Sequence, residues 1–236
     1  MRPIKKPLPG ETVRYENSRG ETISHEVEKE YSPYGNAKFP LIGSIGRYCS
    51  YCERHSDIDA LAVEHLIAKS KGGSETAWDN FLLSCTICNS VKGTTVPDTE
   101  YVWPHIDNTF QCFSYEDTGR IKVVSTIPEE LQKKAHNLLN LLKMGRDCDS
   151  VDAPSACDFR WKRRYEAWNT AARRKEQYLA GKLSADDIIE CAQNNGHWSV
   201  WFTVFTEIDE ILKRMISDFP GTRRECFDAE NHYKPI

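Results

Sequence analysis

The sequence predicts an α+β fold: a small strand–loop–strand–helix core braced by four cysteines, followed by a mainly helical C-terminal half. Three observations carry this expectation. Two C-x-x-C pairs, Cys49/Cys52 and Cys85/Cys88, enclose a stretch of 32 residues. That stretch holds two short apolar runs separated by a Lys/Gly-rich loop, which reads as two strands. Beyond residue 125 the apolar residues recur every three or four positions, the period of a helix with one buried face. The chain therefore divides into an extended N-terminal arm (1–46), the cysteine-bounded core (47–97) and a β-hairpin with helices (98–236).

The arm is rich in Pro, Gly and charge and predicts at most one short helix near Ser24–Lys29. After the core, Phe110–Tyr115 and Ile121–Val124 predict a hairpin about the turn residues Glu116-Asp117-Thr118-Gly119. Thr126, Pro128 and Glu129 supply a helix start, and Gly145 a stop, around the face Leu131, Ala135, Leu138, Leu139 and Leu142. A loop at 146–158 precedes a basic helix whose stripe is Trp161, Tyr165, Trp168 and Ala172. Ser184 caps a short helix through Ile188 and Ile189. One long helix is predicted from Trp198 to Asp218, ending at Pro220-Gly221.

The composition is that of a globular chain: 236 residues, 39% hydrophobic, 28% charged, with a net charge of −4. No apolar run reaches the 18 or more residues a membrane span needs. The basic start Met1-Arg2-Pro3-Ile4-Lys5-Lys6-Pro7 lacks the apolar segment of a signal peptide, so a cytoplasmic location is expected. Nine cysteines, an odd number with four in paired knuckles, point in a reducing compartment to metal rather than disulfides. Two knuckles offer four thiolates, the tetrahedral set that Zn²⁺ prefers. Four sulfurs leave no open position, so this zinc is structural and contributes folding energy. Cys112, Cys148, Cys157, Cys191 and Cys226 are isolated, and only His55 among the remaining histidines lies close to a knuckle.

Between the knuckles an apolar strand delivers the pair Glu64-His65. A loop ending in Gly72-Gly73 follows, then Trp78-Asp79-Asn80 leads into a second apolar run. After Cys88 come Asn89, Lys92 and Gly93, a short helix closed by glycine. In this combination residues 48–97 resemble the HNH endonucleases, in particular the zinc-bound, McrA-like group, with glutamate where the family pattern has aspartate. The resemblance implies a ββα-metal core that hydrolyses phosphodiester bonds. It implies His65 as general base, Glu64 and Asn89 as holders of a catalytic Mg²⁺ or Mn²⁺, and Asn80 as the residue that ties the loop and orients the histidine strand. Oxygen donors suit those ions, and a histidine with an ordinary pKa near 6.5 suits a base. The longer glutamate can shift the ion by roughly an ångström, enough to cost ~100-fold in rate.

Lys92 lies three residues after Asn89, on the same helical face, and is expected to reach phosphate together with Lys71. The core carries five Lys/Arg against six Asp/Glu and lacks a strong positive field. Residues 159–175 carry seven Lys/Arg against Glu166 alone, and Arg160, Arg163 and Arg174 are expected opposite the aromatic stripe. That helix serves either as a phosphate-contacting surface or as a docking face for an acidic partner. The arrangement of arm, core and helical half is similar to the HNH subunit of Septu-type and retron-associated anti-phage systems. That likeness implies an ABC-type ATPase as partner and DNA as the expected substrate. Structured RNA such as transfer RNA remains open, as does a non-catalytic zinc module that binds nucleic acid or protein.

Overall fold

The computed structural model describes residues 1–95 and 100–236. Strands β1 (Thr12–Glu16) and β2 (Thr22–Glu26) pair antiparallel about the Asn17–Gly20 turn, with Val13 opposite His25. The Asn17 carboxamide oxygen accepts the Arg19 and Glu21 amides and fixes that turn. Helix α1 (Lys38–Ile45) lies across β1, where a Cβ on Gly43 would come within 2.8 Å of the Arg14 carbonyl. No helix forms at Ser24–Lys29: Ser24–Glu26 belong to β2 and the rest is irregular. The stretch alternates exposed and half-buried side chains, and its partner strand lies ten residues upstream, beyond the reach of a local reading.

The segment read as an extended arm is folded onto the core. Met1 and Ile4 are buried, and the Lys6 ammonium donates to the Trp78 and Phe81 carbonyls at 2.6 and 2.7 Å. The Trp78 indole in turn donates to the Pro7 carbonyl at 2.9 Å. Burial pulls the Lys6 pKa down to about 7.

Strands β3 (Leu61–His65) and β4 (Phe81–Cys85) form an antiparallel hairpin that pairs Leu61 with Cys85 and His65 with Phe81. Helix α2 (Thr86–Lys92) follows without a linker and ends at Gly93, at φ +58°. The predicted order of strand, loop, strand and helix is what folds.

In the C-terminal part, a helical turn α3 (Thr109–Cys112) precedes the hairpin β5 (Phe113–Tyr115) and β6 (Ile121–Val123). Four helices come next: α4 (Glu129–Leu141), α5 (Arg160–Leu179), α6 (Ala185–Asn195) and α7 (Trp198–Val204). Helix α8 (Asp209–Asp218) and a short hairpin of β7 (Phe227–Asp228) and β8 (Lys234–Pro235) close the chain. Ser184 caps α6 in a full capping box with Asp187. Thr126 does not cap α4. Pro128 takes the cap position without a side-chain bond, and the helix stops at Leu142 before reaching Gly145.

The single long helix expected over 198–218 is two. The chain breaks at Phe205–Ile208, where Ile208 takes φ −123° and ψ 85°. The break lets both helices face one core, in which the Trp198 indole donates to the Met215 carbonyl at 2.8 Å. Among the described residues the buried apolar side chains gather into two clusters. One joins the N-terminal hairpin, the β3–β4–α2 unit and α4; the other joins Tyr48 to α5–α8. None of the described helices is long and apolar enough to cross a membrane.

Candidate active site and metal centre

Cys49 and Cys52 sit in a tight turn before β3. The Glu53 amide donates to the Cys49 carbonyl, and the Ser50 amide to Leu83 of β4. Cys85 ends β4, and Cys88 lies in the first turn of α2. All four side chains are buried and their sulfurs lie within 4.8 Å of one another. Among the described residues this is the one group of three or more His, Cys, Asp or Glu side chains so placed. Four converging, buried thiols suit the donor chemistry of a structural zinc, and they fit the expected ion. Hydrogen bonds from Cys49, Cys52 and Cys88 hold the Cys85 thiol far below the usual range. His55 is not part of the cluster; its ring packs on Tyr48 at 5.3 Å. Of the isolated cysteines, Cys112 and Cys226 are buried, Cys191 is half-buried, and Cys148 and Cys157 are exposed.

The sequence gives no hint of what surrounds the cluster. Arg160, at the start of α5, donates through Nη1 to the Cys88 sulfur at 3.5 Å and to the Leu142 carbonyl at 2.8 Å. Its remaining donors grip the Asp158 carboxylate at 2.7 and 2.8 Å. One turn on, Arg164 is buried and donates to the carbonyls of Gly119 and Met144. The buried stripe of α5 is thus Arg160, Arg164, Ala167 and Ala171, about one position away from the predicted Trp161, Tyr165, Trp168 and Ala172. Trp161 and Tyr165 stack on each other instead, and Tyr165 is exposed. Arg160, expected to contact phosphate, is buried here and paired with Asp158. The Asp158 carboxylate and the Cys88 sulfur together satisfy the buried guanidinium, which outweighs the pattern of apolar residues. Of the other predicted contacts on this helix, Arg163 and Arg174 are half-exposed, and Arg174 donates to Gln177.

A second buried acid lies beside the first knuckle. Glu53 accepts from the Ser199 amide and hydroxyl at 3.0 and 2.6 Å and so ties the knuckle to α7. Burial works to raise its pKa, but the N-terminal ammonium and Ser199 hold it below the ordinary value.

The Glu64-His65 pair sits at the end of β3, where consecutive side chains point to opposite faces. His65 stays partly open to solvent between two rings set edge-on, Tyr34 at 4.9 Å and Phe81 at 5.0 Å. Its Nε2 lies 3.1 Å from the Glu75 carbonyl oxygen. A carbonyl only accepts, so Nε2 carries the proton and Nδ1 is the ring's free acceptor.

Asn80 binds the intervening loop at three points. Its oxygen accepts the Ile67 amide at 2.8 Å, and its nitrogen donates to the carbonyls of Ile67 and Ser74 at 2.9 and 2.8 Å. Gly73 completes the closure, because a Cβ there would lie 1.9 Å from the Ile67 carbonyl oxygen. Lys69 pairs with Glu75 at 2.9 Å and covers the Tyr34 ring, while Lys71 is exposed on the loop. Tyr34 and the Glu75 carbonyl escape a sequence reading, since neither an isolated tyrosine nor a backbone oxygen carries a motif.

Glu64 points inward. Its carboxylate meets the Lys92 ammonium at 2.7 Å, and the two side chains are 3% and 0% exposed. Lys92 also donates to the His65 carbonyl at 2.9 Å. Lys92, expected to touch phosphate, is buried here: its ammonium serves as the countercharge that a buried carboxylate needs. Burial raises the Glu64 pKa, and Lys92 works against that shift. The expected divalent ion at Glu64 and Asn89 does not fit this arrangement, because the acid's partner is already an ammonium. Asn89, one turn before Lys92, is half-buried, and its side-chain amide makes no hydrogen bond among the described residues.

Comparison with known proteins agrees with this geometry. Residues 49–95 match the HNH endonuclease family, a span that begins at the first cysteine and ends just after α2. No match is found among curated proteins. The chain thus carries an HNH endonuclease domain at residues 49–95, a nuclease unit of two strands and a helix built on a buried four-cysteine cluster.

Proposed function

We propose that the chain is an endonuclease in which His65 removes a proton from the attacking water. The observation that carries this is the His65–Glu75 contact: the carbonyl accepts from Nε2, so the neutral ring of this half-buried side chain keeps Nδ1 as its acceptor. Tyr34 and Phe81 hold the ring edge-on, and Asn80 holds the loop that supplies the Glu75 carbonyl. Lys71, on the same loop, and Arg163, on the outer side of α5, are the predicted phosphate contacts that face solvent. DNA is the substrate proposed. An ABC-type ATPase is the partner proposed, on the likeness of the chain's arrangement to anti-phage HNH subunits.

The test is cleavage of plasmid and of transfer RNA in parallel, by the zinc-loaded chain with Mg²⁺ or Mn²⁺, alone and with a co-expressed ATPase. Plasmid cleavage is expected, and His65→Ala is expected to lower it about 10²–10⁴-fold while the melting temperature is kept. Transfer RNA cleavage with plasmid left intact would reassign the substrate. Undiminished cleavage by His65→Ala would remove the base. The buried Glu64–Lys92 pair favours a second reading, a zinc module that binds nucleic acid without cutting it. Binding without cleavage under every condition is its signature.

A further inference from the structure

A groove of about 1030 Å³ lies against the loop between β3 and β4. Ile67, Gly73 and Ser74 of that loop line it, and residues 5–8, Trp103, Ile106 and Arg223 complete the walls. Its size is at the upper end for ligand pockets, which run from roughly 300 to 1000 Å³. Leu8, Ile67 and Ile106, exposed apolar side chains of three separate segments, meet along it. So do the rings of Tyr101 and Trp103, 5.6 Å apart and tilted by 44°.

The charged lining is Lys5, Lys6, Lys134 and Arg223 with Asp79, Asp107 and Glu225. Most of these groups are already engaged. Lys134 pairs with Glu130 at 2.8 Å, Arg223 with Glu225 at 3.4 Å, and Asp107 accepts the Trp103 amide at 2.6 Å. Lys6 is different. It is half-buried, 4.7 Å from the centre of the Trp78 ring, and its ammonium meets two backbone carbonyls but pairs with no acid among the described residues. The exposed Asp79 acts on it only at longer range. Burial, Lys6 and Arg223 together lower the His105 pKa to about 4, so the field at that wall is positive. A half-buried cation without a carboxylate is a ready site for an anion.

We propose that this groove binds an unpaired nucleotide, with the phosphate at Lys6, Lys5 and Arg223 and the base against the Tyr101–Trp103 rings and Ile106. The ligand must carry both an anion and a flat apolar face, because the groove offers a free cation beside aromatic and aliphatic side chains. A phosphate with a base attached has both, and bases of any kind stack on aromatic rings. His65 is not part of this lining, so the site is distinct from the proposed base. The two are nevertheless joined through one loop. A nucleotide in the groove lies against Ile67 and Ser74, the residues that Asn80 ties together, and Ser74 precedes the Glu75 carbonyl that holds His65. A single-stranded stretch beside the cleaved bond can thus brace the loop that positions the base. This inference extends the nuclease reading above, and its readout is binding without cleavage, so the two fail independently.

The experiment is calorimetric titration of the zinc-loaded full chain, with no further divalent ion, against adenosine 5′-monophosphate, adenosine and single-stranded hexadeoxyadenylate. The monophosphate is expected to bind at least ~10-fold more tightly than adenosine, through charge-assisted hydrogen bonds to its phosphate. Lys6→Gln and Arg223→Gln are each expected to weaken monophosphate binding about 10-fold or more, and Lys122→Gln on the distant β5–β6 hairpin to leave it unchanged. A measurement on the wild type alone guards against loss of folding in the variants: the monophosphate is expected to protect Lys6 from reductive methylation, as read by peptide mass spectrometry. Tighter binding of the hexamer than of the monophosphate identifies a nucleic-acid strand as the source. Monophosphate binding with the hexamer excluded identifies a free nucleotide, and either result sustains the site. No saturable binding of monophosphate or hexamer overturns the proposal. So does equal binding of adenosine and its monophosphate, or a Lys6 labelled equally with and without the monophosphate. Binding at Lys6 by a chain that cleaves no nucleic acid would sustain the site and remove the nuclease reading instead.

Discussion

The nuclease unit at residues 49–95 and helix α5 both carry basic residues that a sequence reading assigns to phosphate, and both turn some of them inward. In the unit, Lys92 is buried against Glu64, while Lys71 on the loop stays in solvent. In α5, Arg160 and Arg164 are buried, while Arg163 stays partly open. The inward cations differ in what they meet. Lys92 meets a carboxylate and a carbonyl, groups that suit a compact ammonium. Arg160 meets a sulfur, a carbonyl and a carboxylate at once, which takes the planar fork of a guanidinium. The lesson is that a basic residue next to a nuclease motif serves the fold wherever a buried anion is nearer than the solvent. The setting differs between the two regions: Glu64 and a backbone carbonyl in the unit, the Asp158 carboxylate and a cysteine sulfur at α5.

The comparison is broken most forcefully through the cysteines. Cys85→Ser, or removal of zinc with a strong chelator, is expected to cost on the order of 10 kcal/mol and unfold the unit, followed by zinc analysis and circular dichroism. If α5 truly leans on the cluster, its amide protection should fall in the same experiment. Protection of α5 that survives chelation would show that the helix is independent of the metal.

Arg160→Met comes next. It leaves Asp158 and the sulfur side of the cluster without their countercharge, and an unfolding free energy lower by about 3–5 kcal/mol is expected, with faster zinc release. The same substitution at Arg163 is expected to stay within about 0.5 kcal/mol by urea unfolding. Equal effects at the two positions would erase the distinction between an inward and an outward arginine.

Acid has a smaller effect. Burial lowers the pKa values of His105 and His197 to about 4. A depressed folded-state pKa gives stability that is present above the unfolded value near 6.5 and is lost as pH falls through about 4. The expected loss over that window is roughly 2 kcal/mol or more, read from urea midpoints between pH 7 and 4, and His105→Gln should reduce the slope. Asn80→Ala should cost about 2 kcal/mol through three lost loop bonds. Its sign is faster hydrogen exchange at the Ile67 amide, which would stay slow if Gly73 and Leu66 alone fixed the loop.

Much of the unit was legible because its signals are local. Each C-x-x-C pair makes its own turn, Glu64-His65 ends a five-residue strand, and Gly93 ends the helix that begins at Thr86. Asn80 was singled out through the family resemblance, and its side chain bonds the carbonyls of Ile67 and Ser74 in the loop between the strands. The hairpin at 12–26 and the break at Phe205–Ile208 were not, since an amphipathic stretch satisfies either period until its partner is known.

What the sequence determined by itself is the order of strands and helix in the nuclease unit and the two cysteine pairs that meet in its cluster. These follow from spacing within a few residues, where chain geometry leaves little choice. The tertiary structure alone decided which charges go inside. Arg160 meets Cys88 across 72 positions of sequence, and Glu53 meets Ser199 across 146. Whether a charged side chain faces water or a buried partner depends on the free energy of desolvation against pairing, and the partner is set by how distant segments pack.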